Sequence, residues 1–285
     1  MNKGIAMGQK ATISALVVTY NAERFIRGCL ESVKGWVDEI IIVDMFSRDK
    51  TIEIARRYTD KIIQSEEESH ELRSNIGIDN AKSDWILKVN ATERISLKLK
   101  GEIIEVINSN EKYVGYYMPR KSYVTCAFIE EKPGILYLFK RVAGKYSDIR
   151  AHAPIELKGK IGYLKNFNIH WSSLSIEGGI DKLNRYTSRD AKRVFAGNPN
   201  AFWWRRPVYR VNIFNLLYRP LAGFYMYYFQ AKFYRYGMHG FIESIIGGFV
   251  FFVEMAKLWE FQYKERRGIK DELLPLDEYK EDIKL

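Results

Sequence analysis

The stretch TISALVVTYNAERFIRGCLESVKGWVDEIIIVD, residues 12–44, decides the fold. Its two ends, residues 12–20 and 38–44, are short and almost continuously apolar, which is typical of strands buried on both faces. Between them, residues 22–36 carry apolar side chains that share one face of a helix. These side chains are Phe25, Ile26, Cys29, Leu30 and Val33. A strand, a helix and a second strand in this order predict a right-handed βαβ unit and a parallel sheet.

The alternation of strands and helices continues to about residue 108, where a strand at residues 84–90 precedes the last helix. Beyond it, residues 113–171 contain short β-like runs, which we expect to add antiparallel strands to the sheet. From about residue 176 the pattern is helical. The sequence therefore predicts an α/β domain over residues 11–172, a helical region over 173–268 and a polar tail over 269–285.

Composition narrows the class of protein. The chain has 285 residues, a formal net charge of +10 and a pI of about 9.3, so we expect an anionic partner such as a nucleotide, a phospholipid or a nucleic acid. Cys29 and Cys126 are far apart and form neither a disulfide framework nor a metal-binding spacing, which suits a reducing compartment. The apolar run at residues 13–18 is too short for a signal peptide.

Polar side chains follow the first two predicted strands. Thr19, Tyr20 and Asn21 end the first strand, and Asp44 ends the second. In a doubly wound sheet these ends lie side by side at the edge where nucleotides bind. An aspartate there accepts hydrogen bonds from a base or from ribose hydroxyls, and an aromatic ring stacks on the base. Asp49 is instead expected to cap the following helix.

These residues carry a resemblance to a known family. Residues 16–58 and the stretch SNIGIDNAKSDWILKVNATERIS, residues 74–96, resemble the inverting family 2 glycosyltransferases, which have the GT-A fold. Residues 139–195 and 237–260 are similar to the subgroup that adds sugars to lipopolysaccharide core or related surface glycans. The resemblance implies a GT-A mixed sheet and a nucleotide-sugar donor.

The resemblance also assigns residues to the nucleotide. It implies that Thr19, Tyr20, Asn21 and Asp44 contact it. A basic residue is common in the family at Ser74, and we assign the adjacent Arg73 to the nucleotide site.

The metal-binding position of the family is altered in this chain. Where many members carry two aspartates, this chain has Asn90 and Thr92. Hard cations such as Mg²⁺ prefer carboxylate oxygens, so Mg²⁺ or Mn²⁺ is expected to bind weakly or not at all. The diphosphate of the donor could supply most of the ligands of a metal ion. Alternatively, cationic side chains could replace the charge of the metal. The candidates are Lys88, Arg73, Arg94 and Arg150.

The catalytic base is a second altered position. His152 matches a family histidine that is usually followed by glutamate, but residue 153 is alanine here. We therefore expect His152 or Asp148 to deprotonate the acceptor hydroxyl, with Glu156 also nearby in sequence. Glu93 is expected to begin the next helix rather than to turn inward.

The last third of the chain has the composition of a membrane-interface surface. Between Asp190 and Glu243 there is no acidic residue, and basic residues alternate with aromatic ones. The clearest cluster is Trp203, Trp204, Arg205 and Arg206. Residues 244–253 are uncharged, but ten residues are too few to span a bilayer. The same aromatics could form a helical core, and a basic-aromatic surface could bind single-stranded nucleic acid, which the lack of a nucleic-acid motif disfavours.

Two functions remain open on this basis. The first is an inverting glycosyltransferase, peripheral on the cytoplasmic face of the inner membrane. It would move a sugar from a nucleotide-sugar donor to a lipid-linked or lipopolysaccharide-type acceptor. The second is a catalytically silent protein of the same fold that binds a nucleotide, a glycan or a partner enzyme. The substitutions at positions 90, 92 and 153 favour the second, and fold alone does not establish activity. We nevertheless expect the enzyme, because metal-independent solutions exist in principle and another residue on the acceptor side could supply the base.

Overall fold

The computed structural model describes residues 10–67, 69–109, 112–124, 127–146, 155–197 and 210–269. The chain forms two compact units, Met1–Gly179 and Ile180–Leu285. The described strands are β1 (Ile13–Thr19), β2 (Glu39–Asp44), β3 (Ile62–Gln64), β4 (Trp85–Asn90), β5 (Glu93–Ile95), β6 (Tyr113–Val124), β7 (Ala127–Lys140), β8 (Gly144–Lys145), β9 (Glu156–Leu157), β10 (Lys160–Tyr163) and β11 (Asn168–Ser173). The described α-helices are α1 (Glu23–Val33), α2 (Thr51–Ala55), α3 (His70–Asn80), α4 (Leu97–Ile107), α5 (Ile176–Phe195), α6 (Ile213–Tyr225) and α7 (Gly237–Arg267).

The first unit is built on a mixed sheet with the strand order β3-β2-β1-β4-β7-β6-β11-β5, and β10 also pairs with β6. β3, β2, β1 and β4 run parallel, whereas β7 runs antiparallel to β4 and β6. All seven residues of β1 are buried, because helices cover both faces of the sheet. Ala15 and Val17 pack with α1 and α4, and Leu16 and Val18 pack with α3. The parallel sheet expected from the opening stretch is confirmed.

The strands that follow β7 correct one expectation. We expected every run in residues 113–171 to add an antiparallel strand, but β10 and β11 run parallel to β6. β11 is antiparallel only to β5. β7 returns the chain to the end of the sheet where β6 begins, so strands placed after it on the free edge of β6 run in the same direction as β6.

The second unit is helical. A five-residue π-helical segment, Met226–Gln230, and a 3-10 helix, Phe233–Tyr236, connect α6 to α7. α6 and α7 approach closely at glycines: a Cβ on Gly248 would lie 2.6 Å from the Pro220 carbonyl oxygen. α5 is attached to α7 by Lys257, whose Nζ donates to four oxygen atoms of residues 184–188. None of the described helices combines the length and the apolar character needed to cross a bilayer.

Candidate active site

The ends of β1 and β2 lie side by side, because Thr19 pairs with Asp44 in the sheet register. Asp44 is fully buried. Its carboxylate accepts hydrogen bonds from the Ser47 backbone N–H at 2.8 Å and from the Ser47 hydroxyl at 2.5 Å. The same hydroxyl oxygen accepts from the Asn21 backbone N–H at 2.8 Å. Asp44 therefore fixes the turn after β2 and, through Ser47, the turn after β1.

Two aromatic side chains stand at these turns. Tyr20 and Phe46 are each 47% exposed. Phe46 has a φ of 55° and Asn21 a φ of 46°. Asparagine tolerates the left-handed region, but a bulky residue there is strained by roughly 1–3 kcal/mol and is found most often at ligand sites. The predicted stacking of Tyr20 on a base is compatible with this exposed position.

Arg73 lies in the first turn of α3, at the same edge of the sheet. It is 6% exposed, and its Nη1 donates to the Thr19 carbonyl oxygen at 3.3 Å. Burial lowers the pKa of the Arg73 guanidinium, against the opposing effect of the Asp44 carboxylate. Its Nε has no hydrogen-bond partner among the described residues, and neither has the Oγ1 of Thr19, which is 4% exposed. Buried polar atoms are normally paired, so two unsatisfied atoms on residues that contact each other at this edge of the sheet indicate a place for a polar ligand.

Asn90 ends β4 beside β1, opposite Val18. Its side-chain Nδ2 donates to Glu93 Oε1 at 3.3 Å and to the Tyr137 hydroxyl at 3.2 Å. These bonds orient the amide, yet Asn90 Oδ1 is buried and has no partner in the described chain. Thr92 is half-buried in the turn after the strand, and its carbonyl oxygen accepts from the Trp171 N–H. Asn90 thus contributes a third unsatisfied atom at the sheet edge.

Glu93 corrects the sequence prediction. We expected it to begin a helix, but it is the first residue of β5 and is fully buried. Its Oε2 accepts from the Asn90 backbone N–H at 2.9 Å, and Arg120 Nη1 lies 3.8 Å from Oε1. Burial raises the pKa of the Glu93 carboxyl, while the Asn90 hydrogen bond and Arg120 oppose the shift. β5 forms by pairing with β11, a distant contact that overrides the helix-like local sequence.

Lys88 lies within the buried strand β4 and is 2% exposed. Its Nζ lies 3.2 Å from the Tyr146 hydroxyl and 4.4 Å and 5.1 Å from the ring centroids of Tyr146 and Tyr137. Burial lowers the pKa of Lys88 from 10.5 to about 8, although Glu71 and Glu93 oppose the shift. A lysine inside the run Trp85–Asn90 was the sequence signal for a buried charge, because lysine is almost never fully buried without a role.

The Arg94 side chain contacts backbone carbonyl oxygens of the loop after β4 and of α1. It donates to the backbone carbonyl oxygens of Phe25, Ala91 and Glu93 at 2.6–2.9 Å. Its guanidinium also lies over Gly28 of α1, where a Cβ would come within 2.4 Å of Nε. The Arg94 charge is therefore committed to holding the loop after β4 against α1, which corrects the expectation that it could replace a metal ion.

The remaining predicted residues divide into two groups. Asp49 corrects the prediction that it caps α2: the N-cap is Lys50, which follows it, and the Asp49 carboxylate instead accepts from the Thr51 and Glu23 N–H groups, both at 3.0 Å. The predicted catalytic and membrane-interface residues lie outside the described residues, as does one candidate cation. These are Asp148, His152, Trp203, Trp204, Arg205, Arg206 and Arg150. The described residues contain no cluster of three or more His, Cys, Asp or Glu side chains suited to a metal ion.

A mixed α/β sheet with polar side chains at the ends of β1, β2 and β4 is the arrangement expected of a nucleotide-sugar transferase. Residues 14–142 match Glycosyl transferase family 2. The resemblance found in the sequence is confirmed for this part of the chain: the protein is a glycosyltransferase with a mixed α/β, GT-A-like fold, and its residues 14–142 are similar to family 2.

Relatives that align over most of the chain are also glycosyltransferases by name. An uncharacterized glycosyltransferase of Rickettsia typhi is 27% identical over 272 residues, which cover 90% of each chain. The lipopolysaccharide core biosynthesis glycosyltransferase LpsC of Rhizobium meliloti is 25% identical, over 93% of this chain and 98% of its own. Among solved structures, residues 1–349 of S. aureus TarS match with a TM-score of 0.40 and 14% identity, over 90% of this chain and 92% of that one.

Proposed function

We propose that the protein transfers a sugar, with inversion, from a nucleoside-diphosphate sugar to a lipid-linked or lipopolysaccharide-type acceptor. The observation that carries the proposal is the set of buried, unsatisfied polar atoms at the carboxyl edge of the sheet. They are Thr19 Oγ1, Arg73 Nε and Asn90 Oδ1. They provide a hydrogen-bond donor, an acceptor and a hydroxyl within a family 2 glycosyltransferase domain.

The reaction requires two charge movements. The acceptor hydroxyl oxygen attacks the anomeric carbon while the bond from that carbon to the diphosphate oxygen breaks, and the hydroxyl proton passes to a base. The diphosphate leaves with the bonding electrons and needs positive charge beside it. Arg73 supplies a guanidinium at this edge. His152 and Asp148 remain the proposed bases.

The acceptor class rests on two further observations. LpsC, a lipopolysaccharide core biosynthesis glycosyltransferase, is similar to almost the whole chain. In the second unit, α6 exposes a continuous apolar face whose side chains are between 53% and 77% exposed. These are Ile213, Phe214, Leu217, Tyr218, Leu221 and Tyr225. We propose that this face, with neighbouring basic side chains, lies on the cytoplasmic face of the inner membrane as a peripheral contact.

A transfer assay tests the proposal. Purified protein is incubated with a panel of radiolabelled nucleotide-sugars and with lipopolysaccharide-core or lipid-linked acceptors, and label in the acceptor is counted. We expect transfer from one donor, and the new linkage should have the anomeric configuration opposite to that of the donor. Retained configuration would contradict the inverting mechanism, and label recovered only as free sugar would contradict the acceptor.

A second candidate function is a catalytically silent relative that binds a nucleotide, a glycan or a partner enzyme. It is favoured by the amide and hydroxyl side chains of Asn90 and Thr92 at the family's metal-binding position. Nucleotide-sugar binding without transfer to any acceptor fraction, including total membrane extract, is the result expected of this candidate.

A further inference from the structure

The end of β4 does not fit a divalent metal ion. Asn90 offers one free amide oxygen, and Thr92 offers a hydroxyl. The nearest carboxylate, Glu93, is fully buried and already accepts hydrogen bonds from the Asn90 backbone and side-chain N–H groups. Mg²⁺ and Mn²⁺ favour several carboxylate or water oxygens in a regular geometry, which these side chains do not provide.

The chain places positive charge at this position instead. Lys88 precedes Asn90 by two residues in β4, so both side chains project from the same face of the sheet. The Lys88 ammonium contacts the Tyr146 hydroxyl and the rings of Tyr137 and Tyr146. Burial lowers its pKa, and Glu71 and Glu93 are near enough to oppose this shift, but neither forms an ion pair with it within 4.0 Å in the described part of the chain. A divalent cation at Asn90 would be repelled by this neighbouring charge.

A second buried cation approaches the same edge from α3. Arg73 contacts the Thr19 carbonyl oxygen through Nη1 and leaves Nε unsatisfied. Arg73 and Lys88 are close enough for each charge to be felt by the other, and the buried carboxylate of Glu71 lies near enough to both to offset part of this repulsion. The diphosphate of a nucleotide-sugar carries two negative charges at neutral pH, which suit the guanidinium of Arg73 with its unsatisfied Nε.

We propose that this site binds the donor diphosphate without a divalent metal ion. Arg73 hydrogen-bonds a phosphate oxygen through Nε and its neighbouring N–H groups, the geometry for which a guanidinium is suited. Lys88 does not touch the donor and acts as a fixed positive charge beneath it. Asn90 Oδ1 accepts a hydrogen bond from a hydroxyl of the nucleotide-sugar, and Thr19 Oγ1 accepts or donates one. This inference rests on the proposed function, because it requires a nucleotide-diphosphate donor.

The first experiment compares binding with and without metal. UDP, GDP and dTDP are titrated calorimetrically into the full-length protein, in EDTA and again in Mg²⁺ or Mn²⁺. The expected result is that one nucleotide binds with the same affinity in all three conditions, within about threefold. Binding that falls more than about tenfold in EDTA overturns the metal-independent site but leaves the proposed function intact. Failure of every nucleotide in every condition overturns both.

Two variants then separate the roles of the cations. Arg73→Gln is expected to weaken nucleoside-diphosphate binding in EDTA by about tenfold or more, because a charge-assisted contact is lost. Lys88→Met keeps the approximate length of the side chain and removes the charge; because Glu71 and Glu93 then lose a neighbouring cation, urea unfolding first establishes that the variant is folded. The Lys88→Met variant should lose most of the difference in affinity between nucleoside diphosphate and nucleoside monophosphate. If Lys88 only supported the fold, this difference in affinity would stay unchanged. An unchanged difference overturns the role of Lys88.

The matched control is Arg57→Gln. Arg57 is an exposed arginine of the same unit that pairs with Glu53 on the surface, and its loss should leave nucleotide affinity unchanged.

A gain-of-function variant gives an independent test. Asn90→Asp combined with Thr92→Asp should weaken binding in EDTA and restore it with Mn²⁺, since carboxylates repel the diphosphate until a metal ion lies between them. Equal affinity of this variant in both conditions contradicts the proposed position of the diphosphate.

Discussion

Asp44 connects the sequence motif to the geometry of the site. Its carboxylate holds Ser47, and Ser47 holds Asn21, so the two turns that would surround a base depend on one buried side chain. Asp44→Ala removes two hydrogen bonds to a charged group, each worth about 1.5–3 kcal/mol. We expect nucleotide binding to be lost and the protein to be destabilised, as measured by titration calorimetry and urea unfolding.

Ser47→Ala is the control for Asp44→Ala. It removes the hydroxyl bond to Asp44 and the acceptor of the Asn21 N–H, but it keeps the Ser47 backbone N–H bond and the carboxylate itself. We expect a loss of about 1.5–3 kcal/mol in the free energy of unfolding, smaller than for Asp44→Ala, and a smaller loss of nucleotide affinity. Unchanged affinity in Asp44→Ala would remove the nucleotide from this edge of the sheet.

Glu93 is the residue that orients Asn90. Glu93→Gln keeps the shape of the side chain but removes a carboxylate that accepts from both N–H groups of Asn90 and faces Arg120. We expect a decrease of about 1.5–3 kcal/mol in the free energy of unfolding, measured in urea. The exposed Glu53→Gln should change it by less than about 0.5 kcal/mol. An equal change in the free energy of unfolding for the two variants would show that the buried contacts of Glu93 do not stabilise the fold.

At the scale of elements, Glu39 at the start of β2 joins several segments of the sheet. Its Oε1 accepts from the Ser14 hydroxyl at 2.5 Å and the Lys82 N–H at 2.6 Å, and its Oε2 accepts from Lys61 Nζ at 2.7 Å. Burial alone would raise the pKa of Glu39, but hydrogen bonds from Lys61, Ser14 and Lys82 outweigh it and lower the pKa from 4.5 to about 2. The carboxylate is therefore more stable in the folded protein than in the unfolded chain.

A prediction about pH follows from that shift. Because the folded pKa is lowered, Glu39 contributes stability that is complete above pH 4.5 and is lost as the pH falls from 4.5 to about 2. Glu39→Gln should be less stable than the unmodified protein at pH 7, and the difference between the two should narrow across this window. Urea unfolding at several pH values measures it. A difference that does not change with pH would exclude Glu39 as its source.

The elements that the sequence predicts are those whose signal is local. β1, α1 and β2 follow from continuous apolar runs and one helical face, and the polar residues after them follow from the rule that ligands bind at strand ends. β5 could not be predicted, because its three residues become a strand only by pairing with β11, more than 70 residues later. The surroundings of Lys88 depend likewise on Tyr146, 58 residues away.

On the scale of the whole molecule, the helical unit carries the surface that we propose as the membrane contact. No described helix can span a bilayer, yet α6 exposes the apolar face described above, and the exposed cations Arg210, Lys232 and Arg235 lie close to it in sequence. Each exposed leucine that entered the membrane interface would contribute about 1.5–3 kcal/mol to the free energy of membrane binding. Basic side chains add attraction to anionic lipid, which salt screens.

Vesicle sedimentation tests this surface. The full-length protein should bind vesicles that contain phosphatidylglycerol more tightly than vesicles of phosphatidylcholine alone, and high salt should reduce the difference. Leu217 and Leu221 are 62% and 70% exposed, so Leu217→Glu with Leu221→Glu should leave folding intact and weaken vesicle binding by about tenfold or more. Val142→Glu, an 83% exposed position in the first unit, is the matched control and should bind as the unmodified protein does. If the double variant and Val142→Glu sediment equally with vesicles, the α6 face is not the membrane contact. The acceptor must then reach the active site without the help of this face.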